Sequence, residues 1–198
     1  ADIRKNIVSL AKMLGYTPTS PKSPTATIDF TVNNATGTSI TANKGTTFTT
    51  TVGGTVYNFI TNEDHTITAV NGIFKFSNID LYEGTLITFK YTVDTSDPDQ
   101  RFIIPSINAD TTTLKVKVQN SISDTTSFTY TLASGLTELT ATSKAYFLQE
   151  GEDNRFEVYF GDGTISKAVS DGNIVQLQYV VTNKSLANGA SSFTSPSS

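Results

Sequence analysis

Two different apolar periods divide the chain. In DIRKNIVSLAKMLGY, the residues Ile3, Ile7, Leu10 and Leu14 recur at spacings of four, three and four. That spacing puts them on one face and predicts an amphipathic helix over residues 1–16. Asp2 suits its start, as N-cap or as an acidic group at the positive helix end. Gly15 and then Pro18 end it. About four turns are too short to hold alone in water, so the stripe needs a cover. Packing on its own domain and pairing with a helical partner both fit.

TPTSPKSP, residues 17–24, carries three prolines and reads as an extended linker. Beyond it the period changes to two. Ile28, Phe30 and Val32 alternate with polar positions, as do Ile87, Phe89, Tyr91 and Val93. The same pattern returns at Leu114, Val116 and Val118, and at Phe128, Tyr130 and Leu132. It closes the chain's patterned part at Phe156, Val158 and Phe160 and at Val175, Leu177, Tyr179 and Val181. Such alternation predicts half-buried antiparallel strands with one wet face. Turn signals separate them: Asn33-Asn34, Gly53-Gly54, Asn71-Gly72, Glu83-Gly84, Ser134-Gly135, Asp162-Gly163 and Asp171-Gly172.

The expected fold is therefore mainly β, in antiparallel sandwich-like or barrel-like units, with an N-terminal amphipathic helix. The polar, proline-containing DTSDPDQ, Asp94–Gln100, is the best internal boundary. It places a first β unit at 25–95, a second at 100–183, and a tail at 184–198 leading toward a following domain. The chain opens at Ala1 and ends in the low-complexity SSFTSPSS, so a portion of a longer polypeptide is expected.

Composition agrees and narrows the chemistry. Roughly one residue in six is threonine, well above ordinary usage, and its stiff χ1 suits strands. Hydrophobic residues at 37% supply a core, and a net charge of −4 gives no basic footprint for nucleic acid or an anionic membrane. Cysteine is absent, which removes disulfides and cysteine-ligated zinc. No apolar run reaches the roughly 18 residues of a membrane span.

Several stretches invite a chemical reading. RFEVYFGDGTIS sets Asp162 between Gly161 and Gly163. A calcium loop needs more oxygen ligands at alternating positions, and a structural turn after a buried strand accounts for all three residues. Asp94, Asp97 and Asp99 in DTSDPD could hold a hard cation, but a polar loop is acidic for solubility alone. Glu150, Glu152 and Asp153 crowd a predicted hairpin turn rather than face each other across a cleft. His65 is the lone histidine, which forbids a His-rich metal site. No nucleophile elbow or phosphate-binding loop is present. No cofactor, small-molecule substrate or catalytic residue is expected.

Taken in order, LGYTPTS, ITANKGTTF, VYNFITNED, IPSINADTTTLKVKV, EVYFGDGTIS and IVQLQYVVTNKSLANGA resemble the baseplate J-like family, which includes the wedge subunits of T-even-like contractile-tailed phages. In that family an I-P-x-G-T-x-F turn precedes a Y-x-F strand, and a later F-G-D/E-G turn leads to a strand ending near N-G-A. Asn43 stands where the family often has proline, while Lys44, Gly45, Thr46 and Phe48 are retained. The resemblance implies a structural virion protein of the tail baseplate, assembled in the host cytoplasm as part of the ring around the tail hub. It implies contact with other wedge subunits and with a second copy of itself. It also implies helices near the N-terminal side in a bundle, which suits the stripe of Ile3, Ile7, Leu10 and Leu14. A β-sandwich adhesin or a receptor- or carbohydrate-binding module is the alternative, since cysteine-free, threonine-rich strands suit that class too. A carbohydrate-active enzyme is a third reading, and would need facing carboxylates or a row of exposed rings.

Overall fold

The computed structural model describes residues 19–33, 35–133 and 139–195. The stripe of Ile3, Ile7, Leu10 and Leu14 lies outside the described residues, as do Asn34 and the Ser134-Gly135 turn. The described chain is mainly β, as its alternation predicts. Its strands are β1 (Thr25–Val32), β2 (Ser39–Ala42), β3 (Thr47–Val52), β4 (Thr55–Thr61), β5 (His65–Thr68), β6 (Phe74–Glu83), β7 (Thr85–Thr92), β8 (Phe102–Ile103), β9 (Ala109–Gln119), β10 (Ser127–Leu132), β11 (Ala145–Glu150), β12 (Phe156–Phe160) and β13 (Ile174–Val181). Short 3-10 turns cover Glu152–Asn154 and Lys184–Ala187.

By internal contacts, the described residues form two compact units. One joins Pro21–Ile87 to 180–195, and the other joins 19–20 to Thr88–Tyr179. The division falls inside β7 and β13, not at Asp94–Gln100. That polar stretch is an ordered loop: Asp94 N–H donates to Gln100 Oε1 (3.0 Å), and Gln100 Nε2 donates to the Thr92 carbonyl (3.0 Å). The stretch expected as a tail toward a following domain packs on the first unit's core, where Ala187 is fully buried with Ala190 and Phe193 against it. The described part of the expected linker is also tied down. Ser20 and Ser23 are buried, and Thr111 N–H donates to Ser20 Oγ at 2.9 Å.

The first unit holds a four-stranded antiparallel sheet, ordered β1-β6-β4-β3, and the two-stranded sheet β2-β5. Phe48, Phe59, Phe76, Ile79, Leu81 and Ala187 form its core. Phe30 stacks on Phe76 at 4.5 Å and tilts against Phe48 at 5.2 Å. In β6 the apolar series Phe74, Phe76 is out of phase with Ile79, Leu81. A bulge resolves this conflict: Ile28 pairs with Ile79 but Phe30 with Phe76. Asn78 takes φ 56° there, and its N–H donates to Asp29 Oδ1 at 2.8 Å. One extra residue on β6 thus keeps both pairs on the buried face.

The second unit is built on a seven-stranded sheet ordered β7-β13-β9-β10-β11-β12-β8. β9/β10, β11/β12 and β12/β8 pair antiparallel, and β10/β11 pair parallel. The sheet curls until its end strands approach. Tyr91 of β7 donates its hydroxyl to the Ile103 carbonyl of β8 (2.7 Å), and its ring meets Phe102 at 5.7 Å. Phe160 continues the row, 5.4 Å from Phe102 and 5.3 Å from Tyr130. Val116, Val158, Val175, Leu177 and Tyr179 fill the buried face. On β7 the alternation marks a face without filling it. Ile87 and Phe89 stay 36% and 39% exposed.

Candidate functional site

The GDG stretch follows β12, where the alternation of Phe156, Val158 and Phe160 runs out. Gly161 N–H donates to Ser166 Oγ (3.1 Å), and the buried Ser166 hydroxyl donates to the Ala145 carbonyl (3.2 Å). A Cβ on Gly161 would stand 2.5 Å from Ser166 Oγ and 2.6 Å from its carbonyl oxygen. Close approach therefore requires this glycine. Gly163 meets a different demand, with φ +88°. Asp162 Oδ1 accepts the Thr164 N–H at 2.8 Å, and this bond is the main force holding its carboxyl below the usual range. After this turn the chain returns to the same seven-stranded sheet as β13, which is not adjacent to β12.

Asp94, Asp97 and Asp99 share one exposed loop. Asp94 Oδ1 accepts both the hydroxyl (2.6 Å) and the N–H (2.9 Å) of Ser96. These bonds, the hydroxyl first, lower its pKa. Asp97 Oδ1 accepts the Asp99 N–H at 3.0 Å. Two of the carboxylates thus turn back on the loop's own donors. Among the described residues, no three or more His, Cys, Asp or Glu side chains group as metal ligands. His65 sits in β5 opposite Ala42.

The QEGEDNR stretch is the β11–β12 hairpin turn, with Gly151 N–H donating to the Arg155 carbonyl at 2.7 Å. Asp153 and Asn154 both take left-handed φ, 56° and 59°, a region that Asn and Asp tolerate best after glycine. Beside this turn lies a carboxylate that alternation misses. Glu157 stands between Phe156 and Val158, a position expected on the wet face, yet it is 1% exposed. Arg101 Nη2 approaches its Oε1 at 3.3 Å. The Tyr159 hydroxyl donates to Oε2, and Gln149 Nε2 donates to that hydroxyl. Burial first, and then the bond to Glu157, pushes the Tyr159 phenol up. Gly151 lies against the same carboxylate, where a Cβ would fall 2.2 Å from Oε1. Chemically this is one neutralised carboxylate with hydrogen-bond support. It clamps the segment entering β8 onto β12.

The turn Asn43–Thr46 has a comparable structural logic. Gly45 N–H donates to the Thr61 carbonyl (2.7 Å), Thr61 Oγ1 donates to the Asn43 carbonyl (2.8 Å), and Gly45 takes φ +82°. The glycine and threonines of ITANKGTTF are there to fold a turn.

The sequence is similar to known proteins. The family model described as the third domain of bacteriophage baseplate wedge protein gp6 matches residues 88–190. Baseplate wedge protein gp6 of Enterobacteria phage T4 is 27% identical over 213 residues, covering 98% of this chain and 31% of that protein. The chain thus spans about a third of the length of this curated relative. The matched residues run from β7 to beyond the buried Ala187, and on that span the chain belongs to the bacteriophage baseplate wedge protein gp6 family.

Proposed function

We propose that this chain is a structural segment of a phage tail baseplate wedge, and that its work is assembly of the ring around the tail hub. The match of residues 88–190 to a baseplate wedge domain carries the reading. The local chemistry supports it. Glu157 is held by Arg101 and Tyr159, and Asp94 and Asp162 are held by their own loops. These are the bonds of a scaffold, and we read the chain as a non-enzyme that takes no cofactor or small-molecule substrate and binds neither nucleic acid nor a membrane.

Its partners in this reading are other wedge subunits and a second copy of the chain, met in the virion baseplate after assembly in the host cytoplasm. The apolar stripe Ile3, Ile7, Leu10 and Leu14 is the helix face we assign to those contacts. Gly161, Asp162 and Gly163 serve as a structural turn. The test is an in-frame deletion of this segment from the phage gene that encodes it, followed by electron microscopy of the particles produced. Loss of complete baseplates, with heads still forming, is expected. Intact, infectious tails would overturn the reading.

A further inference from the structure

Two lysines from separate segments converge on one ring. Lys144 Nζ lies 3.9 Å from the Phe128 ring centroid, and Lys167 Nζ lies 5.5 Å from it. Lys144 leads into β11, while Lys167 belongs to the loop after β12. Backbone bonds fix both segments. Lys167 N–H donates to the Ser143 carbonyl (2.8 Å), and Thr131 N–H of β10, the strand that carries Phe128, donates to the Lys144 carbonyl (3.0 Å). The fold therefore brings the backbones that carry both lysines beside the strand that carries the ring.

Like charges gathered in a chain of net charge −4 call for an opposite partner. Among the described residues, no carboxylate pairs with either ammonium. Apolar surface adjoins both segments in sequence: Leu132 ends β10 at 53% exposure, and Ile165, two positions before Lys167, is 43% exposed. A nucleic-acid backbone would call for a longer basic track than two cations. Charge complementarity favours a protein segment with closely spaced carboxylates and apolar neighbours. We propose that Phe128, Lys144 and Lys167 form a docking site for an acidic, partly apolar segment of another protein chain. A carboxylate of that segment bridges the two ammoniums, and its apolar side chains cover Leu132 and Ile165.

The experiment is a titration of the whole isotope-labelled chain, followed by NMR, with a synthetic peptide alternating glutamate and leucine. A single-stranded oligonucleotide serves as the second probe, and both are run at low and high salt. Saturable shifts confined to Phe128, Lys144, Lys167 and their neighbours are expected with the peptide, weakening as salt screens exposed charge. A Lys144→Glu, Lys167→Glu variant with an unchanged melting profile should bind at least tenfold more weakly. Should that variant not fold, Lys144→Gln with Lys167→Gln makes the same comparison. No saturable shift at these residues, equal affinity in the variant, or tighter binding of the oligonucleotide would each overturn the proposal. The site rests on this geometry alone. A protein that still builds baseplates while failing to bind the peptide would refute the docking site and leave the wedge role standing.

Discussion

Asn183 holds Glu83 by both carboxylate oxygens, its backbone N–H donating to Oε2 at 2.9 Å and its Nδ2 to Oε1 at 2.7 Å. The Thr182 hydroxyl adds a third bond to Oε2 at 2.6 Å. Glu83 is wholly buried, so these donors stand in for water around its carboxyl group. The returning segment 180–195 is thereby fastened to the end of β6, about a hundred residues away in sequence.

Removing that carboxylate leaves the buried Thr182 hydroxyl and the part-buried Asn183 donors without their acceptor. Glu83→Ala should destabilise the protein by about 3 kcal/mol, in the range for breaking a buried hydrogen-bond network. Asn183→Ala removes one side-chain bond and should cost about 1–2 kcal/mol. Urea unfolding followed by circular dichroism measures both. A Glu83→Ala midpoint equal to that of the parent would show that the carboxylate does not fasten the segment.

Gly84, the next residue, answers to backbone instead of a carboxyl group. It takes φ +128°, and a Cβ there would lie 2.2 Å from the Val181 carbonyl oxygen and 2.9 Å from Val180 Cγ1. A carbonyl within a strand cannot swing away as a flexible side chain can. Gly84→Ala should therefore cost more than about 3 kcal/mol. Gly172 is the control, because it takes φ +75° with nothing within 4 Å of its would-be Cβ. Gly172→Ala should lose only about 1 kcal/mol through backbone strain. Thermal melting of the two variants checks the order, and Gly172→Ala melting below Gly84→Ala would contradict it.

Alkaline pH should act through Tyr146. Burial pushes its phenol up from 10.0 to about 12. The folded state keeps the proton that the unfolded state begins to release near pH 10. The contribution is thus complete below pH 10 and is lost as pH rises toward about 12. Tyr91, Tyr130, Tyr159 and Tyr179 are shifted in the same direction, each chiefly by burial. Tyr146→Phe should melt within a few degrees of the parent at pH 7 and show a shallower fall in Tm between pH 10 and 12. Parallel curves for the two proteins would mean that this phenol does not carry its share.

What alternation could and could not disclose follows from what it measures. Period two assigns a face, so Phe30, Val116, Val158 and Leu177 were placed from sequence alone. It does not say what covers that face, and so it marked Phe89 on the same grounds as the fully buried Val175. Nor does it detect a buried charge. Glu157 occupies the outward position of an ordinary strand, and only Arg101, Tyr159 and Gly151, distant or unremarkable in sequence, make burial tolerable. The phase slip between Phe76 and Ile79 fits no single alternation, and its resolution takes the left-handed Asn78. Polar punctuation misled where Asp94–Gln100 closes on itself as a loop, since linkers and ordered loops share a composition. The ordered motifs of the whole chain, by contrast, were enough to point to the baseplate wedge family.

The apolar stripe near the N-terminus leads to the remaining prediction. Ile3, Ile7, Leu10 and Leu14 follow a spacing that serves a helical partner as well as an intramolecular seat. Light scattering over a concentration series separates the two, applied to the chain and to a Leu10→Asp, Leu14→Asp variant. In an assembly role, the parent associates and the variant is a folded monomer with an unchanged melting profile, because carboxylates on the stripe resist burial between copies. In a docking role, the parent is a monomer and the variant loses several kcal/mol of stability. We expect the first outcome. The second would move the wedge contacts off this stripe and onto the β surfaces, where the lysine pair over Phe128 becomes the first place to look.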